Sequence, residues 1–180
     1  QPVLLRFAHE MNGDWYPWCQ EPENFKKAFV YIYSVIQNLK PKTSNLKLVW
    51  CPNNNNIPNE AGNNIAAYYP GDEYVDWVGV DGYNWGYERW ETFDQVFLKQ
   101  YRQLIALTSK PVMIGEFGSA EAGGDKGAWI KESLAKIKNE YPQIKLFCWF
   151  NINKERDWRI DEAAMRHTLR DSYFSDKIVK

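Results

Sequence analysis

The sequence predicts a parallel α/β fold of the (β/α)8 TIM-barrel type, represented by five strand–helix units. Three observations carry that reading. Five short apolar runs, beginning near Val3, Leu46, Tyr74, Pro111 and Ile144, alternate with segments whose apolar residues recur at helical spacing. No hairpin dipeptide joins one run to the next, so the strands run parallel with helices crossing between them. Four of the five runs end in Glu, Asp or Trp followed by a loop. Their polar side chains therefore gather on one carboxyl-end face, where barrel enzymes carry their chemistry.

The first run, Val3-Leu4-Leu5, gives way to Arg6-Phe-Ala-His9-Glu10 and then to the turn-rich aromatic segment Asn12 to Trp18. Glu21-Pro22-Glu23 opens a helix, because proline lacks only an amide hydrogen that the first turn leaves unpaired, and acidic groups suit that end of the helix dipole. Phe25, Ala28, Phe29, Ile32, Val35, Ile36 and Leu39 form its apolar face until Lys40-Pro41 stops it. Leu46 to Trp50 is the second strand. The long segment Cys51 to Asp72, rich in Asn, Pro and Gly, is expected to be a functional loop. Within it, Asn53 to Asn56 reads as a solvated turn, with hydrogen bonding to sugar hydroxyls as the alternative. Tyr74 to Asp81 is the third strand, followed by Gly82-Tyr83-Asn-Trp85-Gly86 and a helix bearing Phe93, Val96, Phe97, Tyr101, Leu104 and Ile105. Pro111 to Gly115 is the fourth strand, with Glu116 at its end. A helix over about 126–141 buries Ile130, Leu134 and Ile137, Ile144 to Phe150 is the fifth strand, and a last helix covers about 161–173.

A closed (β/α)8 barrel takes eight strands and roughly 250 residues, about 200 at the least. The 180 residues are therefore read as one domain, 1–180, that forms the C-terminal part of a barrel. Five units leave an open sheet with two bare edges. The expected partner for those edges is a missing N-terminal barrel segment of three βα units or a second copy of the chain. A start at Gln1-Pro2, without Met or leader-like residues, fits a piece of a longer protein.

A net charge of -1 supplies no basic footprint, which argues against nucleic acid as a partner. No apolar run approaches the roughly 20 residues of a membrane helix, so no membrane partner is expected. Cys19, Cys51 and Cys148 are odd in number and contain no CxxC, so neither a zinc site nor a disulfide framework is indicated. Free thiols at Cys19 and Cys51 are expected, with a bridge between them as the alternative. No Gly-rich phosphate loop, metal-ligand cluster or Ser-His-Asp set is present, so no cofactor and no metal are called for. Nine Trp and eleven Tyr exceed what a core of this size needs. The surplus suits stacking on the apolar faces of sugar rings, and core packing accounts for the rest.

The candidate chemistry rests on two glutamates at strand ends, Glu10 and Glu116. Paired carboxylates are the minimum set for cleaving a glycosidic bond. One must stay protonated and the other ionised, so their surroundings must differ. Glu10, beside aromatic rings, suits the acid/base, and Glu116, at a glycine-flanked strand end, suits the nucleophile. His9 precedes Glu10, and on a regular strand it would point away unless the backbone bends. It is a candidate for positioning a sugar hydroxyl or the neighbouring carboxylate, or for a structural role. Tyr83 is placed to hydrogen-bond Glu116. Asp81 either orients Tyr83 or a sugar hydroxyl, or is structural. Trp15, Trp18, Trp85 and Trp149 are candidate sugar platforms, Trp149 first among them, and Arg6 is a candidate brace for a carboxylate.

At these residues the chain resembles glycoside hydrolase family 26, the β-mannanase family of the (β/α)8 retaining clan. Arg6-Phe-Ala-His9-Glu10-Met-Asn-Gly-Asp-Trp15 is similar to the family's His-Glu-Met-Asn-Gly acid/base motif, Asp81-Gly-Tyr83 to its Asp-x-Tyr, and Ile114-Gly-Glu116-Phe-Gly to its nucleophile motif. The resemblance implies a retaining, endo-acting hydrolase of β-1,4-mannan, with Glu10 as acid/base, Glu116 as nucleophile and His9 as sugar-orienting partner. It also implies Trp15 beyond the cleavage point and Trp149 as the stacking indole of the last strand. In family terms the strands present are four to eight. Mixed-linked β-glucan is the alternative substrate, because Tyr16-Pro-Trp18 differs from the mannanase pattern, and some family members cut β-1,3-xylan. A non-catalytic glycan-binding fragment is a further alternative. A polymeric substrate implies a secreted protein.

Overall fold

The computed structural model describes residues 1–39 and 41–160, so the helix expected over 161–173 lies outside the described residues. Strands β1 (Val3–Arg6), β2 (Leu46–Trp50), β3 (Trp77–Asn84), β4 (Val112–Ser119) and β5 (Ile144–Trp149) follow one another in a single sheet. Every neighbouring pair is parallel. The result is a curled α/β half-barrel, and β1 and β5 are its edges.

Helices α1 (Pro22–Asn38), α2 (Ile65–Tyr68), α3 (Phe93–Leu107) and α4 (Lys126–Glu140) are connected to the sheet by loops. Pro22 and Glu23 start α1 as the sequence indicates. Thr92 caps α3 in a reciprocal box with Gln95, and Asp125 accepts from the Ala128 amide at the start of α4. The sequence reading missed α2 and the 3-10 turn at Ala61–Asn63, which are too short to show a helical period.

The sheet carries apolar residues on both faces. Between sheet and helices, Phe29, Phe93, Phe97, Ile114, Phe117, Ile130 and Leu134 are buried to within a few per cent of completely. Each such side chain stabilises the fold by roughly 1.5–3 kcal/mol. On the inner, concave face a smaller cluster of Val49, Cys51 and Met113 packs with Leu4, Trp77 and Leu146. Strand residues alternate between these layers, so parity decides which side chains enter the barrel.

Two strands extend further than expected. β3 continues past Asp81 to include Tyr83, and β4 continues past Gly115 to include Glu116 and reach Ser119. Between them the pairing register shifts: Val80 faces Ile114, but Asp81 faces Glu116, so Gly115 is an extra residue on β4. This bulge resets the alternation. Without it Glu116 would share the helix side with Ile114; with it, Glu116 turns inward beside Asp81. Glycine is required at the bulge because a β-carbon there would lie 2.5 Å from Asp81 Oδ1 and 2.7 Å from Arg6 Nη1.

Candidate active site

Glu10 stands in a bend and not on a strand. Ala8 and Glu10 both have left-handed backbone, with φ of 44° and 58°, a conformation that costs about 1–2 kcal/mol for each L-residue. Hydrogen bonds hold the bend. The Glu10 amide donates to the Cys51 carbonyl at 2.8 Å, the Gly13 amide donates to the Glu10 carbonyl at 3.0 Å, and the Trp18 indole donates to the His9 carbonyl at 2.9 Å. This bend answers the alternation problem posed by adjacent His9 and Glu10. His9 Nε2 comes to 3.8 Å from Glu116 Oε1 without lining the cleft, while Glu10, 7% exposed, lines it with Glu116.

The Glu10 carboxyl receives two neutral donors. Asn53 Nδ2 reaches Oε1 at 2.7 Å and the Trp15 indole reaches Oε2 at 2.8 Å. Asn53 is not the freely solvated turn residue expected. Past the end of β2 it still bridges in parallel to Asp81. Its amide donates to Asn12 Oδ1 at 2.8 Å, and Asn12 Nδ2 returns a bond to the Asn53 carbonyl at 3.0 Å. Burial raises the Glu10 pKa, the Asn53 and Trp15 bonds oppose it, and nearby Glu116 adds to the rise; the balance lies above the ordinary value.

Glu116 has ionic surroundings. Arg6 Nη2 donates to its Oε1 at 2.6 Å, and the Tyr83 hydroxyl donates to its Oε2. Arg6 Nη1 donates to Asp81 Oδ2 at 2.6 Å, so one guanidinium ties both carboxylates together. Burial alone would raise the Glu116 pKa, but the Tyr83 and Arg6 bonds and the Arg6 charge bring it below its ordinary value. Burial raises the Tyr83 phenol, and its bond to Glu116 raises it further. Burial and the Arg6 charge lower His9, which favours neutral imidazole, and its Nε2 lies 3.2 Å from the Tyr16 hydroxyl.

Glu10, Trp15, Tyr83, Trp85 and Glu116 line one cleft of about 380 Å³. Trp15 and Trp85 are 42% and 38% exposed there. Asp81 does not reach the cleft. It is wholly buried beneath Glu116, where it bonds Arg6 and accepts from Cys51 Sγ at 3.2 Å. Trp18 stacks on Tyr16, with ring centres 4.5 Å apart, and is not part of the cleft wall. Trp149 is also off the wall. Its register pairs it with Phe117, whose ring it meets at 4.9 Å, and its indole donates to the Trp158 carbonyl at 2.8 Å. The inward positions at that end of the sheet are Phe150 and Trp158, which do line the cleft. Phe150, Trp158, Tyr16 and Lys154 are cleft residues that the sequence reading did not assign to it, and Asn53 lines it where the preferred reading had a solvated turn and only the alternative a sugar contact.

His9, Asp81 and Glu116 present ligand-type atoms within 4.8 Å of one another. The Arg6 guanidinium already bonds both of those carboxylates, so a cation there would have to displace it. Cys19, Cys51 and Cys148 are free thiols; Cys19 donates to the Glu10 carbonyl at 3.3 Å and helps fix the bend.

Comparison with known proteins bears on the family and the fold. The family model described as glycosyl hydrolase family 26 matches residues 1–177. Endoglucanase H of Acetivibrio thermocellus is 40% identical over 173 residues, which cover 89% of this chain and 19% of that protein. A mannan endo-1,4-β-mannosidase of Bacillus subtilis is 32% identical over 158 residues, covering 83% of this chain and 39% of its own length. A solved Bacillus subtilis mannanase, BCman, superposes with a TM-score of 0.68 at 26% identity, covering 96% of this chain and 48% of that one. The chain thus spans less than half of each of these proteins.

Proposed function

We propose, since the chain belongs to glycosyl hydrolase family 26, that it is the acid/base- and nucleophile-bearing half of a retaining, endo-acting hydrolase of β-1,4-mannan. The family is shown; the hydrolase activity, the substrate, the mechanism and the residue roles are the proposal. One observation carries it: two carboxylates face a single cleft with pKa values displaced in opposite directions, Glu10 up and Glu116 down. That is the division of labour double displacement needs.

In the first step an ionised Glu116 oxygen attacks the anomeric carbon while Glu10 gives its proton to the glycosidic oxygen. The bond to the leaving sugar breaks and a glycosyl ester on Glu116 forms. Water then attacks the same carbon, Glu10 takes its proton, and Glu116 leaves as carboxylate. Arg6 and Tyr83 hold Glu116 in position, and neutral His9 is available to a sugar hydroxyl. Trp15 and Trp85 offer exposed indoles along the chain of sugars. A polymer of this size is met outside cells, so the proposal includes secretion.

A second substrate reading, β-1,3-1,4-glucan, has its own support. The Acetivibrio thermocellus relative at 40% identity is named an endoglucanase, while the mannanase named above stands at 32%. The deciding measurement is reducing-sugar release from galactomannan and mixed-linked β-glucan, with β-1,3-xylan alongside. Glu116→Gln is expected to abolish release from whichever polymer is cut. Undiminished release by that variant would sink the nucleophile assignment.

A further inference from the structure

Next to the cleft, a second concavity of about 310 Å³ opens between the β3–α3 loop and the segment after β5. It shares Trp85 and Arg89 with the cleft, so the two concavities adjoin. Tyr87 stands on its wall with 60% of its surface exposed. Arg156 links the two loops. Its guanidinium carbon lies 5.0 Å from the centre of the Tyr87 ring and 5.8 Å from that of Trp85, and its Nε donates to the Trp85 carbonyl at 3.4 Å.

Tyr87 is also held in a conformation that a tyrosine avoids, with φ of 55°. The restraint is visible. The Tyr87 amide donates to the Ala122 carbonyl at 2.7 Å, and Gly123 approaches so closely that a β-carbon there would sit 2.6 Å from the Tyr87 nitrogen. Backbone strain of this kind persists only where surrounding contacts impose it, and it concentrates at ligand sites. Here it presents an aromatic ring to solvent, where the ring contributes little to the core.

We propose that Tyr87, with Trp85 and Arg156, forms an outer subsite for one further neutral hexopyranose of the same β-linked chain that is cut between Glu10 and Glu116. The inference rests on the hydrolase reading above. A sugar's apolar C–H face stacks on a phenol ring, and its equatorial hydroxyls accept from a guanidinium. Arg156 over the ring keeps it from rotating, which lowers the entropy lost on binding. Adjacency to the cleft points to the next sugar of the same chain as the occupant and not to a separate molecule.

The test is calorimetric titration of the Glu116→Gln chain with manno- and mixed-linked gluco-oligosaccharides of increasing length, and Glu10→Gln serves as a second inert background. Affinity is expected to rise by an extra step once the oligosaccharide reaches Tyr87. Tyr87→Gly should remove that step, weakening only the longer oligosaccharides roughly fivefold, the scale of one aromatic contact. Its melting temperature should not fall, because glycine accepts positive φ. Tyr87→Asn, also tolerant of that conformation, guards against a folding defect. The same length dependence with and without Tyr87 would overturn the outer subsite while leaving the hydrolase reading intact. No binding of any oligosaccharide by either background would overturn both.

Discussion

Glu10 and Glu116 face the same cleft from opposite kinds of backbone and with opposite kinds of neighbour. Glu116 sits inside a strand, turned inward by a single-residue bulge, and its carboxylate meets the Arg6 charge and the Tyr83 hydroxyl. Glu10 sits in a left-handed bend beyond a strand, and its carboxyl accepts from the neutral donors Asn53 and Trp15. Both groups are removed from water, which by itself raises either pKa. What separates them is whether a full positive charge is within bonding distance. Neutral hydrogen bonds moderate desolvation at Glu10, whereas at Glu116 the Tyr83 bond together with the Arg6 ion pair outweighs it. Two identical side chains thus acquire different protonation states from the parts of the fold that hold them.

The strongest way to break this contrast is to remove the charge. Arg6→Met leaves Asp81 fully buried without its partner and leaves the Tyr83 bond to oppose the desolvation of Glu116 without a positive charge beside it. Breaking such a pair costs about 3–5 kcal/mol, and urea unfolding at neutral pH should show a loss on that scale. The sign follows from the lowered Glu116 pKa. Its stabilising contribution is complete above the ordinary carboxyl value and is lost as pH falls through the folded value. The deficit of the variant should therefore shrink in acid; a deficit that grows in acid would contradict the ion-pair account. Next in size is Glu10→Ala, which removes the proposed proton donor and should slow turnover on natural polymer by about 10²–10⁴-fold. Azide, or substrates with good leaving groups, should restore part of the rate, and failure of both to do so would count against the acid/base role.

The parallel order of the five strands and the apolar faces of α1, α3 and α4 were legible because helical spacing and the absence of hairpin turns leave few alternatives. The two glutamates, Tyr83 and the bracing Arg6 were legible as polar residues at the ends of apolar runs. Parity within the strands was not. Parallel strands are buried on both faces and read as continuous apolar runs, so nothing in Ile144 to Phe150 says that Trp149 points to the helices and Phe150 to the cleft. The Gly115 bulge is a property of pairing between β3 and β4, and neither strand announces it alone. Asn53 was hidden among four asparagines of the same composition. Only the parallel bridge to Asp81 and the clamp from Asn12 distinguish it.

Smaller perturbations sharpen the contrast from each side. Gly115→Ala would drive a methyl into the Arg6–Asp81 pair, with Asp81 Oδ1 only 2.5 Å from the new carbon. Overpacking of this kind costs about 1–3 kcal/mol, and the loss should appear in thermal melts together with weakened activity. Tyr83→Phe removes one bond that lowers the Glu116 pKa, so the acid limb of kcat/KM should move to higher pH while the alkaline limb stays.

The finest test acts on Glu10 alone. Asn53 donates to Oε1 and holds the Glu10 pKa lower than burial would set it. Asn53→Ala should therefore raise that pKa further. Because Glu10 must be protonated to act as acid, the alkaline limb of kcat/KM should shift to higher pH and the bell should widen, even as peak activity falls. The expected shift is less than about one pH unit, the scale of a single neutral hydrogen bond of roughly 0.5–1.5 kcal/mol. An alkaline limb that moves down instead would mean that the group titrating there is stabilised in its charged form by something other than Asn53. The assignment of that limb to Glu10 would then fall, while the ionic account of Glu116 would stand.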